Sequence, residues 1–100
     1  MIIKIDKSPV AMKRFRVTLD NGNKYDFGYL GGRTYIDGRS LVDRNAYRAR
    51  HLGNQIEKRL ISNLVPSPSL FAYYLLWGSS TNLQKNIEYL NNLWAKKHSK

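Results

Sequence analysis

An α+β fold is the class this sequence predicts, with an N-terminal antiparallel hairpin or small sheet followed by three to four helices. Three observations carry it. The first third alternates apolar and polar residues, with turn residues between the runs. From Ser40 the apolar spacing lengthens to that of a helix. The strand-like runs all precede the helix-like ones, which is the order of an α+β domain and not of a βαβ sheet. At 100 residues, with no internal repeat, low-complexity run or linker, the chain reads as a single domain.

The elements follow in order, strands within about 2–36 and helices within about 40–97. Ile2 to Asp6 alternates weakly and fits a short strand. Met12 to Leu19 alternates well, with Phe15, Val17 and Leu19 on one face and Arg14, Arg16 and Thr18 on the other. Asp20-Asn21-Gly22-Asn23 is a turn, because Asn and Gly tolerate positive φ. Lys24 to Tyr29 then alternates again and completes the clearest hairpin in the chain. Thr34-Tyr35-Ile36 fits one more short strand. Ser40 is placed to cap a helix, with Asp43 as the capping-box acid. Leu52, Ile56, Leu60 and Leu64 recur every four residues, a buried helical stripe, with Gly53 as a possible break into two helices. Ser67-Pro68 suits a helix start, Leu70 to Trp77 a short buried helix, and Gly78 its C-terminal cap. Ser80 or Thr81 would cap a last helix with Leu83, Ile87, Leu90 and Trp94 inward and Lys96 and Lys97 at its negative end.

Charge narrows the function. Seventeen Lys and Arg against seven Asp and Glu give +10, which calls for an anionic partner. The charge sits in the hairpin, in Arg39–Arg59 and in the tail, while Leu60 to Gln84 carries none. With no cysteine, disulfides, thiol redox chemistry and cysteine-ligated metals are excluded. His51 and His98 have no second ligand at metal spacing, and His98 is expected to fray. No cofactor and no small-molecule substrate is indicated. No run is long and apolar enough for a membrane span. The residues after Met1 do not resemble a secretory signal, so an intracellular setting is expected.

The candidate anion or nucleic-acid contacts are Arg14, Arg16, Arg39, Arg44, Arg48, Arg50, His51, Lys58 and Arg59. Arg44, Arg48 and His51 share one helical face, and guanidinium forks match phosphate or carboxylate oxygens. A solvated helix face with Arg stems over apolar surface is the plainer reading of the same pattern. Phe71, Tyr73, Tyr74 and Trp77 are candidates for a protein contact or for ordinary core, with Tyr73 expected to be the exposed member. Gly31-Gly32-Arg33-Thr34 lacks phosphate-loop spacing and reads as a tight turn.

Gly32-Arg33-Thr34-Tyr35-Ile36-Asp37, Asn45-Ala46-Tyr47-Arg48-Ala49-Arg50-His51 and Asn63 to Gly78 together resemble a family of small basic proteins encoded by large double-stranded DNA viruses of eukaryotes. The resemblance runs from about Phe15 to Leu93. It is most specific at Pro66-Ser67-Pro68-Ser69-Leu70-Phe71 and Tyr73-Tyr74-Leu75-Leu76-Trp77-Gly78. It brings no catalytic residue with it and implies a viral setting, in the virion and the host cell. The expectation is a non-enzymatic virion component, a minor capsid or cement protein bound to acidic neighbours. The alternative is a protein bound to the viral genome, with DNA or RNA as partner. A remote third reading is a nuclease similar to the GIY-YIG class, from Tyr25 and Tyr35 ten residues apart with Arg44 following. Asp26-Phe27 departs from that pattern, and Glu57 and Glu88 are isolated as metal ligands.

Overall fold

In the computed structural model, which describes residues 1–99, the two best-alternating runs pair as expected. Strand β2 (Lys13–Leu19) and strand β3 (Lys24–Tyr29) are antiparallel, with Phe15 opposite Phe27 and Val17 opposite Tyr25. Gly22 takes φ 88° in the turn, and the Leu19 and Gly22 amides close it on the Asn23 and Leu19 carbonyls at 2.9 Å each. Strand β1 (Ile2–Lys7) joins the free side of β2, giving the order β1-β2-β3. The weak alternation of β1 has a cause: its register slips between Ile2 and Lys4, a bulge. The fold is α+β, with the three-stranded sheet first and four helices after it.

The segment expected as a fourth strand is a single 3₁₀ turn, Tyr35–Asp37. Asp37 explains the difference. Its carboxylate accepts from the Thr34 amide at 3.0 Å and the Thr34 hydroxyl at 2.8 Å, which folds the segment back on itself. Helix α1 (Leu41–Leu52) starts at Ser40, whose hydroxyl accepts from the Asp43 amide at 3.1 Å. Gly53-Asn54 ends it, and helix α2 (Gln55–Ser62) begins with the Asn54 side chain capping the Ile56 and Glu57 amides. That break rotates the expected stripe apart. Ile56 is 75% exposed, and Ile61 is buried in its place. Leu64 is buried with φ 53°.

Helix α3 (Pro68–Phe71) starts at Ser67 as expected and widens into a π-helical turn over Ala72–Leu76. Helix α4 (Leu83–His98) is capped by Asn82, not by Ser80 or Thr81. His98 belongs to its last turn, with the ring 4.1 Å from that of Trp94. Lys100, from the expected basic tail, lies outside the described residues.

The charge-free stretch supplies much of the core. Leu70, Phe71, Leu75 and Leu76 pack with Val17, Leu19 and Phe27 of the sheet and with Ile87 and Leu90 of α4. Asn86 is the polar residue within it, 1% exposed. Its amide donates to the Leu75 and Ser80 carbonyls at 3.0 and 2.8 Å, and its oxygen accepts from the Ser80 amide at 3.0 Å. Asn91 uses its side chain in the same way on β1, donating to the Ile2 carbonyl and accepting from the Ile2 amide. Both side chains tie α4 to the rest of the fold. Among the described residues, no helix is long and apolar enough to cross a membrane.

Candidate anion-binding site

The acids show where positive charge is already answered. Arg14 forms a two-pronged pair with Asp37 at 2.5 and 2.6 Å, and Arg16 one with Asp26 at 3.0 and 3.1 Å. Arg39 meets Asp43 at 3.0 Å, Lys4 meets Asp6 at 3.4 Å, and His51 bonds Glu57. The Arg14 guanidinium holds the Asp37 carboxyl down at about 2, helped by Thr34 and opposed by burial. Arg16, then Ser8, hold Asp26 below the ordinary carboxylate range. With Asp20 near the Met1 amine, six of the seven acids are engaged.

The three arginines of α1, Arg44, Arg48 and Arg50, have no carboxylate partner among the described residues, and two of them are neighbours. Arg44 and Arg48, one turn apart, share the face that packs toward the π-helical turn. The Arg44 Nε donates to the Gly78 carbonyl at 2.8 Å, its Nη1 donates to Asn45 at 2.9 Å, and the guanidinium lies 5.8 Å from the Tyr35 ring. The Arg48 guanidinium sits 4.3 Å over Tyr73 and 6.0 Å from Tyr74. Its Nε is buried and has no hydrogen-bond partner. Burial lowers the Arg48 pKa, the nearby tyrosines raise it and the Arg44 charge lowers it further. Tyr74 stacks at 6.3 Å on Tyr89 of α4, which closes the far side of the niche. Its own hydroxyl is pushed up by burial.

Two like charges held side by side, one half-buried and short of an acceptor, favour an incoming oxyanion. A tyrosine face offsets part of the cost of the Arg48 charge, at about 0.5–2 kcal/mol, but accepts no N–H in the guanidinium plane. A carboxylate or a phosphate oxygen can meet the outer N–H groups of the two guanidinium groups, while the Arg48 Nε itself lies out of solvent reach.

The nine predicted anion contacts therefore do not form one patch. Arg14, Arg16 and Arg39 are in ion pairs. Arg44 and Arg48 form the niche. His51 lies against the Tyr47 ring at 4.0 Å, and Tyr47 stacks on Trp77 at 4.5 Å and 10°. Arg50, Lys58 and Arg59 are exposed elsewhere, the last two along a shallow groove with Gln55 and Ser62. Of the predicted protein contacts, Phe71, Tyr73 and Trp77 are buried within the chain and Tyr74 is half-buried. Tyr73 is thus not the exposed member, because its ring lies beneath Arg48. The niche also uses Tyr35, Gly78 and Tyr89, which the sequence does not mark as anion contacts. Tyr89 falls on the outer side of the α4 stripe, so periodicity alone reads it as solvent-facing.

Among the described residues, no group of three or more His, Asp and Glu is placed to hold a metal ion. No curated protein and no solved structure matches the chain. Residues 3–51, the sheet and most of α1 with both niche arginines, are similar to a family of unknown function, DUF5754.

Proposed function

We propose that this protein is a non-enzymatic binding module that fastens to an acidic protein neighbour in a larger assembly, with the Arg44–Arg48 niche as the contact. In the viral setting that the sequence resemblance implies, the assembly is a virion and the module a minor capsid or cement protein. The observation that carries the reading is Arg48: a half-buried guanidinium with no carboxylate and with an unbonded Nε. Two adjacent guanidinium groups suit a single oxyanion, as a glutamate or aspartate side chain would present. Pairing of Arg14, Arg16 and Arg39 with acids removes three cations from the broad face that duplex coating needs.

Binding of labelled poly-glutamate and of a labelled DNA duplex, followed by fluorescence anisotropy over a salt series, tests this. The expected result is poly-glutamate binding that weakens with salt and falls about tenfold or more in Arg48→Ala. No binding of either anion at low salt overturns it. A second reading, genome binding, is favoured by the exposed Lys58–Arg59 groove. It predicts that duplex binding is lost in Lys58→Ala/Arg59→Ala and kept in Arg48→Ala.

A further inference from the structure

A second concave surface lies between the open end of the β2–β3 hairpin and the helices. Its outer part, about 360 Å3, is lined by Met12, Lys13, Tyr29, Tyr47 and Pro68 among others. Its inner part, about 230 Å3, is lined by Tyr29, Arg33, Thr34, Tyr47 and Trp77 among others. Both parts include Gly28, Tyr29, Tyr47 and Ala72, so they adjoin across these residues.

Two properties of the cleft point to its occupant. The first is apolar exposure. Val10, Met12, Tyr29 and Leu30 are 43, 53, 64 and 47% exposed, and all four lie at this one end of the hairpin, where the Leu30 amide meets the Met12 carbonyl. Met12 and Tyr29 line the cleft itself, and exposed apolar side chains on such a wall mark a contact surface. The second is charge. Neither Lys13 nor Arg33 forms an ion pair among the described residues, and Arg33 donates only to the Asp37 backbone oxygen at 3.3 Å. Burial and then the Glu57 carboxylate push the Tyr47 hydroxyl up, Arg50 opposes them more weakly, and Glu57 is itself bonded to His51.

We propose that this cleft docks an acidic peptide segment of a partner protein, which inserts one bulky apolar side chain beside Tyr29 and sets its carboxylates against Lys13 and Arg33. The inference rests on the acidic-neighbour reading above but uses a surface separate from the Arg44–Arg48 niche. A second copy of the chain is disfavoured as occupant, since each copy carries +10. A nucleic-acid base is disfavoured because the Tyr47 ring is already stacked on Trp77 and covered by His51, which leaves Tyr29 alone as a stacking surface.

The test uses two synthetic peptides, poly-glutamate and the same peptide with one central phenylalanine, titrated into the full chain by calorimetry and by amide NMR shifts. The phenylalanine peptide is expected to bind at least about fivefold more tightly, with shifts at Met12, Lys13 and Tyr29. Tyr29→Ala, at a largely exposed position, is expected to abolish that gain, and Lys13→Glu to weaken the phenylalanine peptide about as much. Equal affinities for the two peptides, with shifts confined to α1, overturn the cleft and leave the niche standing. Failure of both peptides to bind overturns the acidic-neighbour reading itself. Displacement of the phenylalanine peptide from Tyr29 by oligothymidylate, or self-association that Tyr29→Ala abolishes, overturns the choice of occupant.

Discussion

At Asp37 one carboxylate joins two parts of the chain, the β2 strand through Arg14 and the 3₁₀ turn through Thr34. Its pKa is held at about 2, below the ordinary carboxylate value. A lowered folded-state pKa gives stability that is present above the unfolded value and lost as pH falls through the folded one. The Asp37–Arg14 pair is three-quarters buried, so Asp37→Asn is expected to cost about 2 kcal/mol at neutral pH. Denaturant melts should show the gap between variant and parent closing from about pH 4 to about pH 2. A gap unchanged at low pH would contradict that account. The sequence reads Arg14 as lying opposite the Phe15–Val17 face, but it shows neither its burial nor its partner. Asp37 stands 23 positions on, and the alternation around it suggests a strand that would aim it elsewhere. Met12 and Leu64 escape sequence reading for a different reason. They hold φ of 68° and 53°, and neither is a residue type that signals a left-handed conformation.

Among the elements, the joint between the π-helical turn and α4 depends on two adjacent side-chain facts. Asn86 satisfies Leu75 and Ser80, and Gly78 packs against it so closely that an added Cβ would lie 2.1 Å from the Tyr74 carbonyl oxygen and 2.9 Å from the Asn86 side chain. Asn86→Ala removes three hydrogen bonds of a buried side chain and is expected to cost about 3 kcal/mol in thermal or denaturant unfolding. Gly78→Ala is expected to cost about 3 kcal/mol or more, since the first clash is with backbone. The Arg44 Nε bonds that same Gly78 carbonyl, so either variant should also weaken poly-glutamate binding at the niche. The hairpin and the α1 start were legible because alternation, a turn tetrad and Ser40 with Asp43 all agree locally. The α2 stripe was not, because a four-residue repeat continues across Gly53-Asn54 in sequence while the helix does not. The Asn82 cap was missed because Ser80, Thr81 and Asn82 are adjacent and all suit the position.

Over the whole molecule, the +10 charge and the neutral segment answer different needs. The neutral Leu60–Gln84 stretch, with its aromatic run, became largely core, including three of the four side chains considered for a protein contact. The positive excess divides into structural pairs, the Arg44–Arg48 niche, the Lys58–Arg59 groove and the cations of the hairpin cleft. Net charge sets the sign of the proposed partner, and helical spacing joins Arg44 to Arg48. What spacing did not provide was which arginines the acids would neutralise, since each of the Arg14 and Arg16 pairs is made across the fold. With several cations engaged at once, poly-glutamate affinity should fall steadily as salt is raised from low to physiological levels. An affinity insensitive to salt would argue against charge as the driving force.

The central claim is that Arg48 serves a partner and not the fold, and Arg48→Met tests it most directly. Methionine keeps the packing on Tyr73 and Tyr74 while removing the half-buried charge. Unfolding and poly-glutamate binding are measured on the same protein. The account predicts stability unchanged or raised by about 1 kcal/mol, since an unpaired buried charge is removed, together with an affinity lowered about tenfold or more. A variant that unfolds more easily yet binds poly-glutamate as well as the parent would contradict it.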